Sequence, residues 1–218
     1  MARRRRLSDR RRGVLGGRRP GRCRDRPETL ALSQEVQELC ARYEVAYYQH
    51  WGEVLEGWTR GGDEGAALMG DGIRRLRERG AASRLPYYLA LLADTLIDAG
   101  RAGEAAAVLV EARRLAEDHA DWWWLPELWR LEARLHPGPD GDHRLERALA
   151  VAGDHGSASL ALRAAADLAE RLVERGEVDR GRRLLTPLRT ACVGTSPEVE
   201  AIDARLDGLI GVASGAGQ

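Results

Sequence analysis

The sequence contains no lysine and no phenylalanine, and only three of its 218 residues are cysteine. Without lysine there is no Gly-x-x-x-x-Gly-Lys-[Ser/Thr] loop, which excludes a phosphate-binding loop of the P-loop ATPase type. Cys23, Cys40 and Cys192 are odd in number and far apart, so they form neither a disulfide framework nor a CxxC metal or redox pair. No apolar run approaches the roughly 18 residues needed to span a bilayer. These absences predict a cytoplasmic protein without a membrane segment.

Charge is unevenly distributed, although the formal net charge is zero. Residues 1–27 hold twelve arginines against Asp9 and Asp25, a net of +10, so the remainder carries −10. This stretch has few apolar residues, and we therefore expect residues 1–28 to form a disordered arginine-rich arm. An arm of this kind could bind nucleic acid non-specifically or could be a solvated tail. No aromatic side chain lies among the arginines to stack on bases, which favours the solvated tail.

The rest of the chain is organised around one amphipathic stretch, Leu85–Gly100, in which leucines recur every three or four residues. Pro86 suits a first helical turn, and Gly100 suits a left-handed C-cap. A second amphipathic stretch, Ala102–His119, follows at once. The two predict a helical hairpin that is too apolar to stand alone and needs similar hairpins on both sides.

A small residue followed by a bulky one four positions on marks the second helix of each predicted hairpin. A third residue, small in three of the four cases, follows three positions later. The four sets are Gly65/Met69/Gly72, Ala105/Leu109/Ala112, Gly141/Leu145/Ala148 and Gly181/Leu185/Leu188, which begin 40, 36 and 40 residues apart. Repeats of this length are typical of tetratricopeptide and related solenoids.

We therefore predict an all-α, tetratricopeptide-like right-handed α-solenoid of about ten antiparallel helices over residues 29–211. Residues 212–218 form a flexible tail in this prediction. Pro187 is expected to kink or end its helix.

Several segments resemble one family. Six segments resemble parts of the C-terminal tetratricopeptide region of large bacterial signalling proteins. They are Gly57-Trp58 and residues 84–94, 128–131, 147–152, 159–164 and 184–187. In those proteins an AAA or NB-ARC-like ATPase precedes the repeats, often behind a class III adenylate/guanylate cyclase or a DNA-binding transcriptional-activator domain. The resemblance covers about residues 30–211 and implies a regulatory role without the ATPase or cyclase. It begins at what would be the second helix of a hairpin, so we expect a C-terminal piece of such a protein or a subunit that docks on one.

In such a superhelix the first helices of the hairpins line the concave surface. The residues on one face of each first helix predict a groove for a peptide or acidic partner. The groove has aromatic residues at one end and arginines at the other. The alternative is that the aromatics fill gaps between repeats and the arginines form a solvated face. The candidate residues are Trp51, Val54, Trp58, Tyr87, Ala90, Asp94, Glu127, Arg130, Arg134, Arg163, Ala166 and Glu170.

Residues with catalytic or metal-binding potential are sparse. His136 and His143, with nearby aspartates, lie in a Pro/Gly-rich segment that is better explained as a polar surface turn than as a metal loop. Ser157 and Ser159 beside His155 are better explained by helix capping than by nucleophilic catalysis. We predict a non-catalytic protein-interaction module with no cofactor and no metal. A small-molecule effector sensor and nucleic-acid binding through the arm are the alternatives.

Overall fold

A computed structural model of the chain describes residues 26–43, 45–80, 84–192, 194 and 199–207. These residues form ten α-helices and one short 3-10 turn, and none of them is in a strand. The predicted all-α fold is confirmed. Most of the predicted arm, residues 1–25, and the predicted tail after residue 211 lie outside the described residues.

Only a few residues separate successive helices along the chain. Their bounds are α1 Arg26–Tyr43, α2 Ala46–Arg60, α3 Gly62–Glu78, α4 Leu85–Asp98, α5 Ala102–Asp118, the 3-10 turn Trp122–Trp124, α6 Leu125–Leu135, α7 Pro139–Asp154, α8 Ala158–Glu174, α9 Val178–Ala191 and α10 199–207.

The chain divides into two compact units, the first ending at Asp121 and the second beginning at Trp122. In unit 1 each helix from α1 to α5 packs on the next, and α2 also touches α4. In unit 2 the helices α6 to α9 pack in the same consecutive way, and α6 also touches α8. Val199 and Ile202 of α10 join the apolar core beside Leu185. Each unit thus has the helix order of an α-solenoid.

The small/bulky pattern marks the buried faces of α3, α5, α7 and α9. The first two residues of every set are buried, as is the third, except that Leu188 is half-buried. In the first set, Gly65 of α3 lies against Gly57 of α2. A Cβ on Gly65 would lie 2.3 Å from the carbonyl oxygen of Gly57. The two backbones are therefore in direct contact, and only glycine fits at Gly65 without a shift of one helix.

The helices end in a recurring left-handed turn. Gly100 has φ +75°, its N–H donates to the carbonyl of Ile97, and the next N–H donates to Leu96. This is the Schellman motif, so the predicted left-handed C-cap at Gly100 is confirmed. Ala120 ends α5 with the same pair of hydrogen bonds at φ +51°, where an alanine is strained.

The sequence predicts that Pro187 kinks or ends its helix. The predicted end is wrong, because α9 continues to Ala191. Proline removes the hydrogen bond that its N–H would have given to the carbonyl of Arg183. Both residues are exposed, so that carbonyl can be hydrated by solvent. The cost of losing this hydrogen bond is therefore small enough for the helix to continue past Pro187.

Candidate functional site

The aromatic half of the predicted groove lies in unit 1 and is mostly buried. Trp51, Val54 and Trp58 are 7%, 0% and 3% exposed, and Ala90 is 2% exposed. Trp51 meets Tyr48 edge to face at 5.0 Å between ring centroids. These positions are packing contacts and do not form the open aromatic wall that the sequence suggested. The reason is that α2 has α1, α3 and α4 packed around it, which covers the face expected to be free.

Tyr87 and Asp94 of α4 are half-buried and complete the unit 1 set. Arg84, just before α4, holds its guanidinium 5.8 Å from the ring centroid of Trp51. The exposed aromatic side chains among the described residues are Tyr43, Trp122 and Trp123. Large apolar side chains are mostly buried in folded proteins, so the composition of this tryptophan run does not mark Trp122 and Trp123 as exposed.

The charged half of the predicted groove lies in unit 2, where the structure brings four side chains together. Arg130 of α6 donates to both carboxylate oxygens of Glu127, at 3.0 and 2.9 Å. Its third nitrogen donates to Asp167 of α8 at 2.7 Å. Arg163 of α8 donates to Glu127 at 3.2 Å. We call these four residues the charged network.

The charged network joins two neighbouring hairpins through their first helices. The side chains of Arg130 and Glu127 are only 4% and 10% exposed, so neither charge is well hydrated. Two arginines face two carboxylates, and Arg130 meets Glu127 in fork-like geometry, which compensates the cost of burying these charges. Ala166, another predicted groove residue, is buried in the apolar core of unit 2.

Asp167 is the member of the network that the sequence analysis missed. It lies 37 residues from Arg130, and Arg163 lies 36 residues from Glu127. Both separations equal about one repeat. Oppositely charged residues one repeat apart are therefore a signal that could have found it.

An exposed row of charges borders the network. Arg134 and Glu170 are exposed, and Arg205 of α10 donates to Glu170 at 3.2 Å across 35 residues. Arg134 of α6 and Glu170 of α8 lie about one turn along their helices from Arg130 and Asp167 of the network, and Arg205 lies on α10. We call Arg134, Asp167, Glu170 and Arg205 the charged face.

Arg171 of α8 fixes the end of α6 beneath this face. Its guanidinium donates to the carbonyl of Ala133, to that of His136 at 3.3 Å, and to Asp142 of α7 at 3.3 Å. An arginine at carbonyls that lack a helical partner is a favourable C-terminal cap. Asp142 also pairs with Arg175 at 2.7 Å. The predicted polar turn is thus held by arginine.

The described residues contain no group of three or more His, Cys, Asp and Glu side chains that could hold a metal ion. Ser157 is the N-cap residue of α8, but its side chain makes no capping hydrogen bond. The capping role expected for Ser157 is therefore absent from this structure. His155 stacks on Trp123, with ring centroids 6.1 Å apart and an angle of 6° between the planes.

Glu56 of α2 is a carboxylate of unit 1 whose pKa is lowered by its hydrogen-bond partners. Gln37 of α1 donates to it at 2.7 Å and Arg60 donates to it at 2.5 Å. The hydrogen bond from Gln37, and then that from Arg60, lower the pKa of Glu56, while its partial burial acts in the opposite direction. The ionised form of Glu56 therefore stabilises the α1–α2 contact more than the protonated form does.

Comparison with known proteins gives little further information. No family model matches the chain, and no solved structure matches it. Over 143 residues, 64% of the chain, it is 32% identical to an uncharacterised protein of Rhizobium meliloti (strain 1021). The matched part spans 13% of that relative's length, so the similarity concerns a small section of a much longer protein. Within the described ranges, no helix is both long enough and apolar enough to cross a membrane.

Proposed function

We propose that the chain is a non-catalytic interaction module of the tetratricopeptide type. In this proposal it belongs to, or docks on, a bacterial ATPase-linked regulator of the cyclase or transcriptional-activator kind. The observation that carries the proposal is the charged face of unit 2, which has charged residues about one repeat apart on α6, α8 and α10. Of these, Arg134 and Glu170 are exposed and Arg205 is half-buried.

A repeat architecture places equivalent positions of successive hairpins side by side. A peptide lying across the charged face therefore meets several helices at once. The buried charged network and the Arg171 cap hold α6, α7 and α8 in fixed register beneath it. A fixed backbone beneath the exposed charges limits the ordering entropy of binding to that of the side chains, and the charge pattern favours a partner of complementary charge.

The Rhizobium meliloti relative supports the second part of the proposal. A section similar to this chain occupies 13% of that protein, so a related sequence exists within a far larger polypeptide. This is the context expected from the resemblance to ATPase-linked regulators.

Site-specific photocrosslinking in the producing cells tests the proposal. The full chain would carry p-benzoylphenylalanine in place of Arg134 or of Glu170, with Arg183 on the exposed side of α9 as the matched control position. We expect positions 134 and 170 to capture the same protein, which carries an ATPase or cyclase domain, and position 183 not to capture it. Capture of the same proteins at all three positions, or of none at any, would refute the proposal.

A further inference from the structure

Three polar side-chain atoms in unit 2 lack a hydrogen-bond partner at the point where α8 begins. They are Nδ1 of His155 and the hydroxyl oxygens of Ser157 and Ser159, and all three atoms are shielded from solvent within the described structure. Ser157 as a whole is only 4% exposed. Buried polar atoms without a partner destabilise a fold, so three of them in one short segment need an explanation. We call His155, Ser157 and Ser159 the polar cluster.

The backbone places the polar cluster at the N-terminus of α8. The preceding helix, α7, ends in a left-handed turn at Gly156, where φ is +64°, and the N–H of Ser157 donates to the carbonyl of Ala152 at 2.8 Å. Ser157 is the N-cap residue of α8, and its carbonyl accepts from the N–H of Ala161 at 3.0 Å. The N–H groups of residues 158–160 have no carbonyl one turn earlier to bind, as at the start of any α-helix. The side chain of Ser157 therefore begins where these N–H groups emerge.

The groups at this helix start are mainly hydrogen-bond donors. Each serine hydroxyl can donate one hydrogen bond, and the imidazole of His155 can donate from Nδ1. An N-cap serine ordinarily accepts a hydrogen bond from the first turn, but the hydroxyl of Ser157 makes no such bond. The first turn of α8 contains no acidic side chain, so no carboxylate of its own neutralises the partial positive charge there. A ligand that satisfies these donors must be negatively charged and must present several acceptor oxygens.

We propose that the polar cluster and the first turn of α8 bind a phosphate group. The hydroxyls of Ser157 and Ser159 and the N–H groups of residues 158–160 donate to the phosphate oxygens, and His155 donates from Nδ1. A phosphate at a helix N-terminus is favoured both by these hydrogen bonds and by the helix dipole. Asp154, the carboxylate nearest along the chain, is exposed, so solvent and salt screen its repulsion.

Trp123 stands at the entrance to this site. Its ring stacks on the imidazole of His155, with 6.1 Å between the ring centroids. Trp123 is 42% exposed and lies in a three-residue 3-10 turn, so its ring can move without disturbing an α-helix. The phosphate group enters by displacing this ring. If the phosphate belongs to a nucleotide, the ring can also stack on the base.

Titration calorimetry of the full chain tests the proposal with two probes, inorganic phosphate and adenosine monophosphate, at matched ionic strength. We expect saturable binding with one ligand per chain. Tighter binding of adenosine monophosphate would assign the phosphate group to a nucleotide, and tighter binding of inorganic phosphate would assign it to the free ion. The absence of saturable binding with both probes would overturn the proposal.

Removing two hydroxyls locates the site. The test variant is Ser157→Ala/Ser159→Ala, and the matched control is Thr186→Ala/Thr190→Ala, whose hydroxyls donate to carbonyls of their own helix, α9. We expect the serine variant to bind the tighter probe at least about tenfold more weakly than the wild type, because it loses two hydrogen bonds to a charged group. The control should bind like the wild type. Wild-type affinity in the serine variant would overturn the proposal.

The stability of the serine variant without ligand separates a binding role from a structural one. It removes two buried hydroxyls that lack partners, so its urea midpoint should equal or exceed that of the wild type. A lower midpoint would show that the hydroxyls are bonded within the fold, which overturns the proposal.

A carboxylate placed in the first turn of α8 provides a second variant. Ala158 is exposed and is the first residue of the helix. Ala158→Asp adds a negative charge that suits a helix N-terminus, so the fold should be retained. We expect this variant to bind the tighter probe at least about tenfold more weakly, because like charges repel at the site. Binding at wild-type affinity would contradict a phosphate site at the start of α8.

Discussion

Replacing Gly65 with alanine should separate α2 from α3 and destabilise unit 1. The added Cβ would lie 2.3 Å from the carbonyl oxygen of Gly57, where the obstacle is backbone and no side chain can turn away. Overpacking of this kind costs about 1–3 kcal/mol, and a rigid backbone obstacle belongs at the upper end of that range. Alanine's better helix propensity offsets about 1 kcal/mol of this cost. The expected net loss is therefore about 2 kcal/mol.

Gly70 provides the matched control in the same helix. A Cβ at Gly70 meets nothing within 4 Å, so Gly70→Ala should gain the helix propensity without a clash. We expect Gly70→Ala to be about 1 kcal/mol more stable than the wild type. Urea denaturation followed by far-UV circular dichroism would measure both variants. If Gly65→Ala proves as stable as Gly70→Ala, the direct backbone contact between α2 and α3 is refuted.

Three further predictions concern a helix end, an arginine cap and one carboxylate. Ala120→Gly should raise the urea midpoint, because it relieves the strain of an alanine in the left-handed conformation, which costs roughly 1 kcal/mol. The control Ala99→Gly, at φ −81°, should not raise it. Equal effects of the two substitutions would contradict the strain at Ala120. Arg171→Met should lower stability by about 2 kcal/mol, because it leaves carbonyls of the α6 end without their donor, while Arg175→Met should change the thermal midpoint little. The folded pKa of Glu56 lies below its ordinary 4.5, so its stabilisation is present above pH 4.5 and is lost as the pH falls through the folded pKa. Glu56→Gln should therefore reduce the difference in urea midpoint between pH 7 and pH 3, and an unchanged difference would show that Glu56 makes no such contribution.

Helix positions could be predicted from the sequence because their signals are local. The apolar spacing of Leu85–Gly100 and the small/bulky sets depend only on residues within two turns of each other. Gly65 and Gly72 belong to one of these sets, and in the structure both lie against α2. Their repetition about 40 residues apart also predicted that successive hairpins pack together.

The nature of the candidate site depends on contacts that no local pattern encodes. Trp51 and Trp58 are buried because α1 and α4 both cover α2, and this follows from tertiary packing alone. Arg130 finds Asp167 only when α6 meets α8, 37 residues away. Conversely, Trp122 and Trp123 are exposed although their composition predicts burial. Burial of a large side chain is set by its neighbours in space.

The affinity of the purified partner for charge-reversed chains tests the central claim most directly. With the protein captured at positions 134 and 170, titration calorimetry would compare the wild type, Arg134→Glu/Glu170→Arg and the control Arg183→Glu. We expect the double reversal to weaken binding at least about tenfold, equivalent to about 1.4 kcal/mol, and the control to bind like the wild type. Binding of the double reversal at wild-type affinity would contradict the assignment of the charged face as the interaction surface.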